Sequence, residues 1–254
     1  MRLSSTFILL CAVCTVLMGC TRSLPLISHA HIGHSLTAWR DTPDQEGLFV
    51  VAEKETKVAF EHAQQAVNNA QTPAIARQHL SNVVHALNPD IQSEGSGLGY
   101  GAIRALEGAV DHIKFAAESK DASNNLIAST KQFSYGARPL LDRLRLAVEV
   151  AQLARRSSAA ELPGLADELR QLMYQNLNGK DTDGNGIVDP ASDEHGLAQL
   201  RQGLVSMLSN EKPPYNPLGR KYLLGLIRLP NGQWVYNFDN SNESSTSSSG
   251  YEDY

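Results

Sequence analysis

Two short stretches of this chain concentrate side chains that bind metal ions. The first, His29-Ala30-His31-Ile32-Gly33-His34, puts three imidazoles into six residues. On an extended strand alternate residues share a side, so His29 and His31 face the same way, and Gly33 lets the backbone turn to bring His34 round. Three neutral imidazole nitrogens converging in this way suit Zn²⁺ or Cu²⁺. The second stretch, Asp181-Thr182-Asp183-Gly184-Asn185-Gly186-Ile187-Val188-Asp189, sets three carboxylates within nine residues. Carboxylates so close repel one another without a cation, and oxygen donors at alternate positions suit a hard ion such as calcium.

Three further histidines, His62, His79 and His112, fall beside the apolar faces of three different helical segments. His112 belongs to the small-residue strip Ala105, Gly108, Ala109 and Ala116, which allows a close neighbouring helix or leaves room for a cofactor, and a bundle core is a usual place for metal or haem. Against a cofactor, the Glu-x-x-His pattern of di-iron bundles is absent, and a histidine at a core edge is commonly satisfied by a neighbouring carbonyl. Gly95, Gly97, Gly99 and Gly101 suggest a phosphate cradle at a helix start. No strand precedes them and no Gly-Lys-Ser/Thr follows, so the reading that remains is a flexible helix connection. Gly-x-Ser-x-Gly is missing too, and no catalytic motif names a reaction.

The acidic stretch resembles the EF-hand calcium loop. Asp181, Asp183, Asn185 and Gly186 match positions 1, 3, 5 and 6 of that loop, Ile187 offers its carbonyl at position 7, Val188 is the apolar residue at 8, and Asp189 stands at 9. The departure is position 12, where a bidentate Glu is expected and Ser192 stands. Asp193 and Glu194 follow at once, so a slightly longer loop can bring Glu194 round as the last ligand. The resemblance implies calcium between two flanking helices.

The N-terminus carries an address. One basic residue, Arg2, precedes the apolar run Phe7 to Met18, which at ~1.5 Å per residue covers roughly 18 Å, short of the ~30 Å hydrocarbon core of a bilayer. Leu17-Met18-Gly19-Cys20 resembles the lipobox of bacterial lipoproteins, which implies cleavage after Gly19 and acylation of Cys20. The implied mature protein is lipid-anchored in the cell envelope and faces the periplasm. Thr21 rather than Asp after the cysteine points to the outer membrane where the host has one. Cleavage removes Cys11, Cys14 and Arg2, which leaves no free thiol for a disulfide or a metal. Net charge then moves from 22 − 27 = −5 to 21 − 27 = −6, which disfavours nucleic acid as a partner.

The rest of the sequence reads as the scaffold that must position these groups. Residues 20–44 lack helical periodicity and read as a lipid tether and histidine-containing linker. Apolar residues at three and four residue spacing then mark helices over Gln45 to Ala70, Pro73 to Leu87, about Ile103 to Ala117, and Pro139 to Arg155. Together, residues 45–160 read as an antiparallel four-helix bundle. Aromatics make up only 6% of the chain, which argues against extensive sheet. Helices over Gly164 to Asn178 and Asp193 to Ser209 flank the acidic loop, making 161–211 an EF-hand-like helix-loop-helix. Tyr222 to Phe238, with Pro230-Asn231-Gly232 at its turn, reads as a small β-hairpin within 212–238, and the polar 239–254 as a disordered tail.

The expected fold is therefore mainly α. The expected function is a non-enzymatic periplasmic metal-binding lipoprotein with a structural calcium loop and a Zn or Cu histidine site. Two alternatives stand beside it: a scaffold lipoprotein that binds only calcium and docks a protein partner at the envelope, and a haem or metal enzyme using the bundle histidines.

Overall fold

The computed structural model describes residues 25–188 and 194–217 and, as backbone alone, 226–228 and 234–236. The signal segment, Cys20, Asp189, Asp193, the hairpin turn and the C-terminal tail lie outside the described residues. Seven α-helices pack in contact in the described chain: α1 (Ile27–Leu36), α2 (Leu48–Asn68), α3 (Pro73–Leu87), α4 (Ala102–Glu118), α5 (Asn124–Arg156), α6 (Leu162–Asn178) and α7 (Leu197–Ser209). None of them is long and apolar enough to cross a membrane. Leu226–Arg228 and Trp234–Tyr236 are antiparallel partners, with Ile227 opposite Val235.

Small side chains bring the helices close. Ala52, Ala59, Ala63 and Ala66 of α2, Ala105, Ala109 and Ala116 of α4, and Ala137, Ala147, Ala151 and Ala154 of α5 are all buried. Each contributes little apolar area, so the larger anchors Phe49, Leu80, Leu106, Ile113, Leu140, Leu144 and Leu169 supply most of the driving force, at about 1.5–3 kcal/mol per fully buried side chain. Helices α2, α3, α5 and α4 close a ring in which each touches the next, while α6 packs on α2 and α5 and α7 packs on α5 and α6.

The long helix is a correction to the sequence reading, which starts it at Pro139. Helix α5 begins fifteen residues earlier, at Asn124, where the Ser123 hydroxyl accepts the Leu126 N–H as an N-cap. Pro139 lies inside it and removes one backbone donor. The helix continues because both flanks are held by burial, Phe133 and Ala137 before the proline and Leu140 and Leu144 after it. Its 33 residues make a rod of about 50 Å at ~1.5 Å per residue.

A second correction falls in the stretch read as linker, where residues 27–36 form α1. Its buried positions are Ser28, His29, Ile32, Gly33 and Ser35, a helical spacing written in polar and small residues that hydrophobic periodicity does not reveal. Two of its first N–H groups, those of Ile27 and Ser28, donate to the carboxylate of Asp121 at 2.6 and 3.0 Å. Burial of that carboxylate, which raises its pKa, is outweighed by these bonds, so Asp121 lies below the usual carboxylate value. The helix thus lies against α4, where the Ser35 hydroxyl donates to the Ala109 carbonyl at 3.3 Å.

Candidate metal centre

Helical geometry decides which histidines meet. On α1, His31 and His34 stand three residues apart and share a face, whereas His29 is two residues from His31 and points elsewhere. The shared face lies on α4, which supplies His112. His31 Nδ1 and His112 Nδ1 are 3.2 Å apart, and each of His31, His34 and His112 offers one nitrogen within 4.8 Å of the others. Two nitrogens bound at ~2.0–2.1 Å to one tetrahedral zinc lie roughly 3.3 Å apart, so the His31–His112 separation is one that a hydrogen bond between the two rings or a shared metal ion would each give.

Aromatic side chains wall this cluster. The Trp39 ring lies 4.6 Å from that of His34 and 4.7 Å from that of His112, centroid to centroid, while Phe115 lies 5.7 Å from His31 and 5.8 Å from His112. A pocket of about 220 Å³, lined by His34, Ala38, Trp39, Arg40 and Gln45, opens beside it. Burial, reinforced by the neighbouring His112 and His31, pushes the His34 imidazole down to about 4. Burial and then His31 lower His112 as well, against a smaller opposing pull from Asp111. Near neutral pH both rings are therefore uncharged, the form that ligates a metal.

The set expected on an extended strand, His29, His31 and His34, is thus corrected to His31, His34 and His112. His29 is buried on the other side of α1, where its Nδ1 accepts the Asn216 N–H at 3.1 Å, its Nε2 lies 3.8 Å from Glu211 Oε1, and its ring meets Tyr215. Burial lowers its pKa, and the nearby Glu211 and Asp121 carboxylates only partly oppose this. The bundle histidines do not form one group either. His62 of α2 and His79 of α3 face each other with Nδ1 atoms 3.0 Å apart, separately from His112.

The acidic loop gathers Asp181, Asp183 and Glu194, each with one oxygen within 4.8 Å of the others. Asp181 Oδ1 accepts the N–H groups of Gly184 and Asn185 at 2.8 and 3.1 Å, and its Oδ2 accepts that of Gly186 at 2.8 Å. Asp183 accepts the Asn185 N–H and side-chain amide, and Asn185 Oδ1 accepts the Ile187 N–H at 2.7 Å. Gly186 adopts φ 82°, the left-handed turn that a glycine at this position serves. Glu194 is buried and folds back over the loop, its Oε1 accepting both the N–H and the hydroxyl of Thr182 at 2.7 Å. The structure thus brings together the two aspartates and the distal Glu194, while the Ile187 side chain points to solvent.

The glycine-rich connection is an anion cradle whose anion is supplied by the chain itself. Glu55 of α2 is fully buried, and its carboxylate accepts the N–H groups of Leu98, Tyr100 and Gly101 at 3.0–3.1 Å. A Cβ on Gly97 would lie 2.3 Å from Glu55 Oε2, and Gly97, Gly99 and Gly101 all have positive φ. A connection expected to be flexible is instead clamped at the start of α4, the helix that carries His112. Trp39, Phe115 and Glu55 are the participants that spacing did not reveal. Reading α1 as a helix would have paired His31 with His34, but nothing in the sequence linked Trp39 to His112. No protein-family model matches this chain, and neither a curated protein nor a solved structure matches it.

Proposed function

We propose that this protein is a non-enzymatic metal-binding lipoprotein of the bacterial envelope. It holds a transition-metal ion at His31, His34 and His112, carries a structural calcium ion in the loop from Asp181 to Glu194, and is anchored by acylated Cys20, with a C-terminal hairpin as an appendage. The observation that carries the reading is the convergence of three imidazoles from two helices, each offering one nitrogen within 4.8 Å of the others. Clamps at both ends of the arrangement support it, since Asp121 fixes the start of α1 and Glu55 fixes the start of α4. A metal taken up there meets ligand geometry that the fold has already set. A second reading, a scaffold lipoprotein that binds only calcium, draws on Tyr135, Leu146 and Leu153, exposed on α5 at near whole-turn spacing.

Competition titration of chelator-stripped protein with Zn²⁺ tests the first reading. Wild type should hold one ion, His34→Gln and His112→Gln should each weaken it by about tenfold or more, and His29→Asn should not. Undiminished affinity in both weakened variants would remove the centre. For the loop, Ca²⁺ at about tenfold its Kd adds RT ln 11, or about 1.4 kcal/mol, so the melting temperature should rise by a few degrees. Asp181→Ala with Asp183→Ala should abolish that rise, and a melt indifferent to Ca²⁺ in wild type would take calcium out of the proposal.

A further inference from the structure

We infer that the His31, His34 and His112 centre is built for a monovalent cuprous ion, Cu(I), in preference to Zn²⁺. The inference rests on the metal-centre reading above and adds the identity of the cargo. Its first support is charge. Among the described residues the cluster comprises three imidazoles and no carboxylate or thiolate. The acid next in sequence to His112, Asp111, is exposed and lies 3.8 Å from the ammonium of Lys114. The cost of withdrawing an ion from water grows with the square of its charge, so a half-buried site without an anionic ligand penalises a divalent ion about four times as heavily as a monovalent one.

The second support is ligand number. Zinc completes a tetrahedron and, with three protein ligands, keeps a water or anion in the fourth position. Divalent copper favours tetragonal nitrogen and oxygen sets. Cuprous copper, with a filled d shell and soft character, is satisfied by three nitrogen donors in a plane. The cluster offers three nitrogens, and the aromatic side chains packed at a tilt or edge-on against its rings, Trp39 and Phe115, have no oxygen to give. The third support is Trp39 itself. Its indole packs at a tilt of 57–58° against two of the three ligand rings, and an indole face within ~6 Å of a bound cation attracts it by ~0.5–2 kcal/mol.

The test is a pair of competition titrations on the full chain without an affinity tag. One is anaerobic, with Cu(I) kept reduced by ascorbate and contested by bicinchoninate, and the other uses Zn²⁺ contested by a chromophoric chelator. The inference predicts one Cu(I) per chain, held on the order of a hundredfold more tightly than Zn²⁺. Trp39→Leu, with helicity and melting temperature checked, should weaken Cu(I) by about tenfold and leave Zn²⁺ within a factor of about two. Zn²⁺ bound as tightly as Cu(I), or more tightly, would overturn the cuprous assignment and leave the metal centre standing. Failure to hold either ion would overturn both. Equal weakening of the two metals in Trp39→Leu would also count against the assignment, because a merely structural wall affects both alike.

Discussion

At the scale of single residues, burial holds His34 and His112 in the uncharged form that metal ligation requires. His34 is the most displaced from ordinary behaviour, lowered from 6.5 to about 4 by burial and by its two histidine neighbours. Between those values the unfolded chain binds a proton at this position and the folded chain does not, so stability falls as pH drops from about 6.5 toward about 4 and then levels. Above 6.5 neither state is protonated there and the contribution is constant. His29 and His112 are lowered too and act with the same sign. Urea denaturation of the metal-free protein over this range should therefore show a slope that His34→Gln makes shallower. An unchanged slope in the variant would show that His34 is as readily protonated as a free imidazole. These three residues were individually visible in the sequence as candidates. Their grouping was not, because it depends on whether i and i+2 or i and i+3 share a face.

At the scale of elements, the helices with a continuous apolar stripe were legible almost to the residue. Helix α3 was expected over Pro73 to Leu87 and is observed there, marked by proline at its first position and Asn88-Pro89 after its end. Helix α1 was hidden because its buried face is Ser, His, Gly and Ser around a single Ile32. Helix α5 was shortened because a proline signals a helix start locally, whereas burial on both sides of Pro139 decides the matter globally. Gly136, one turn before that proline, illustrates the same tertiary control. A Cβ there would lie 2.0 Å from His195 Nδ1, so the His195 ring occupies the space a side chain would fill, and Arg143 also donates to the His195 carbonyl. Gly136→Ala should destabilise the protein by about 1–3 kcal/mol and loosen the segment that carries Glu194. Gly203 of α7 has nothing within 4 Å of such a Cβ, and Gly203→Ala should stabilise by about 0.5–1 kcal/mol. Thermal melts of the two variants moving in the same direction would contradict this account of α5 and α7.

At the scale of the whole molecule, one packed set of helices carries two separate groupings of side chains that could hold a metal ion. One lies where α1 packs on α4, and the other sits in the connection between α6 and α7, with Glu194 folded back onto it. The grouping of the acidic side chains was legible because Asp181 and Asp183 are near neighbours in sequence and Gly186 falls where the turn requires it. The reach back of Glu194 was foreseen as a longer loop, and its oxygen now stands beside those of Asp181 and Asp183. The histidine centre was only half legible, since His112 lies 78 residues beyond His34 and only packing brings them together. The lipid address, read from Leu17 to Cys20, belongs to residues outside the described chain. With Cys20 as the proposed anchor, the proposed centre on α1 follows by only a short tether, which would hold metal near the membrane surface.

The central claim, a transition-metal centre formed by His31, His34 and His112, is tested most directly by the metal content of the protein as cells make it. Full-length protein should be purified without an affinity tag or chelator and analysed by inductively coupled plasma mass spectrometry, beside the variant His31→Gln, His34→Gln, His112→Gln. The account predicts close to one copper or zinc atom per wild-type chain and almost none in the variant, with calcium content the same in both. Wild-type protein without copper or zinc, or a variant that retains the wild-type amount, would contradict it.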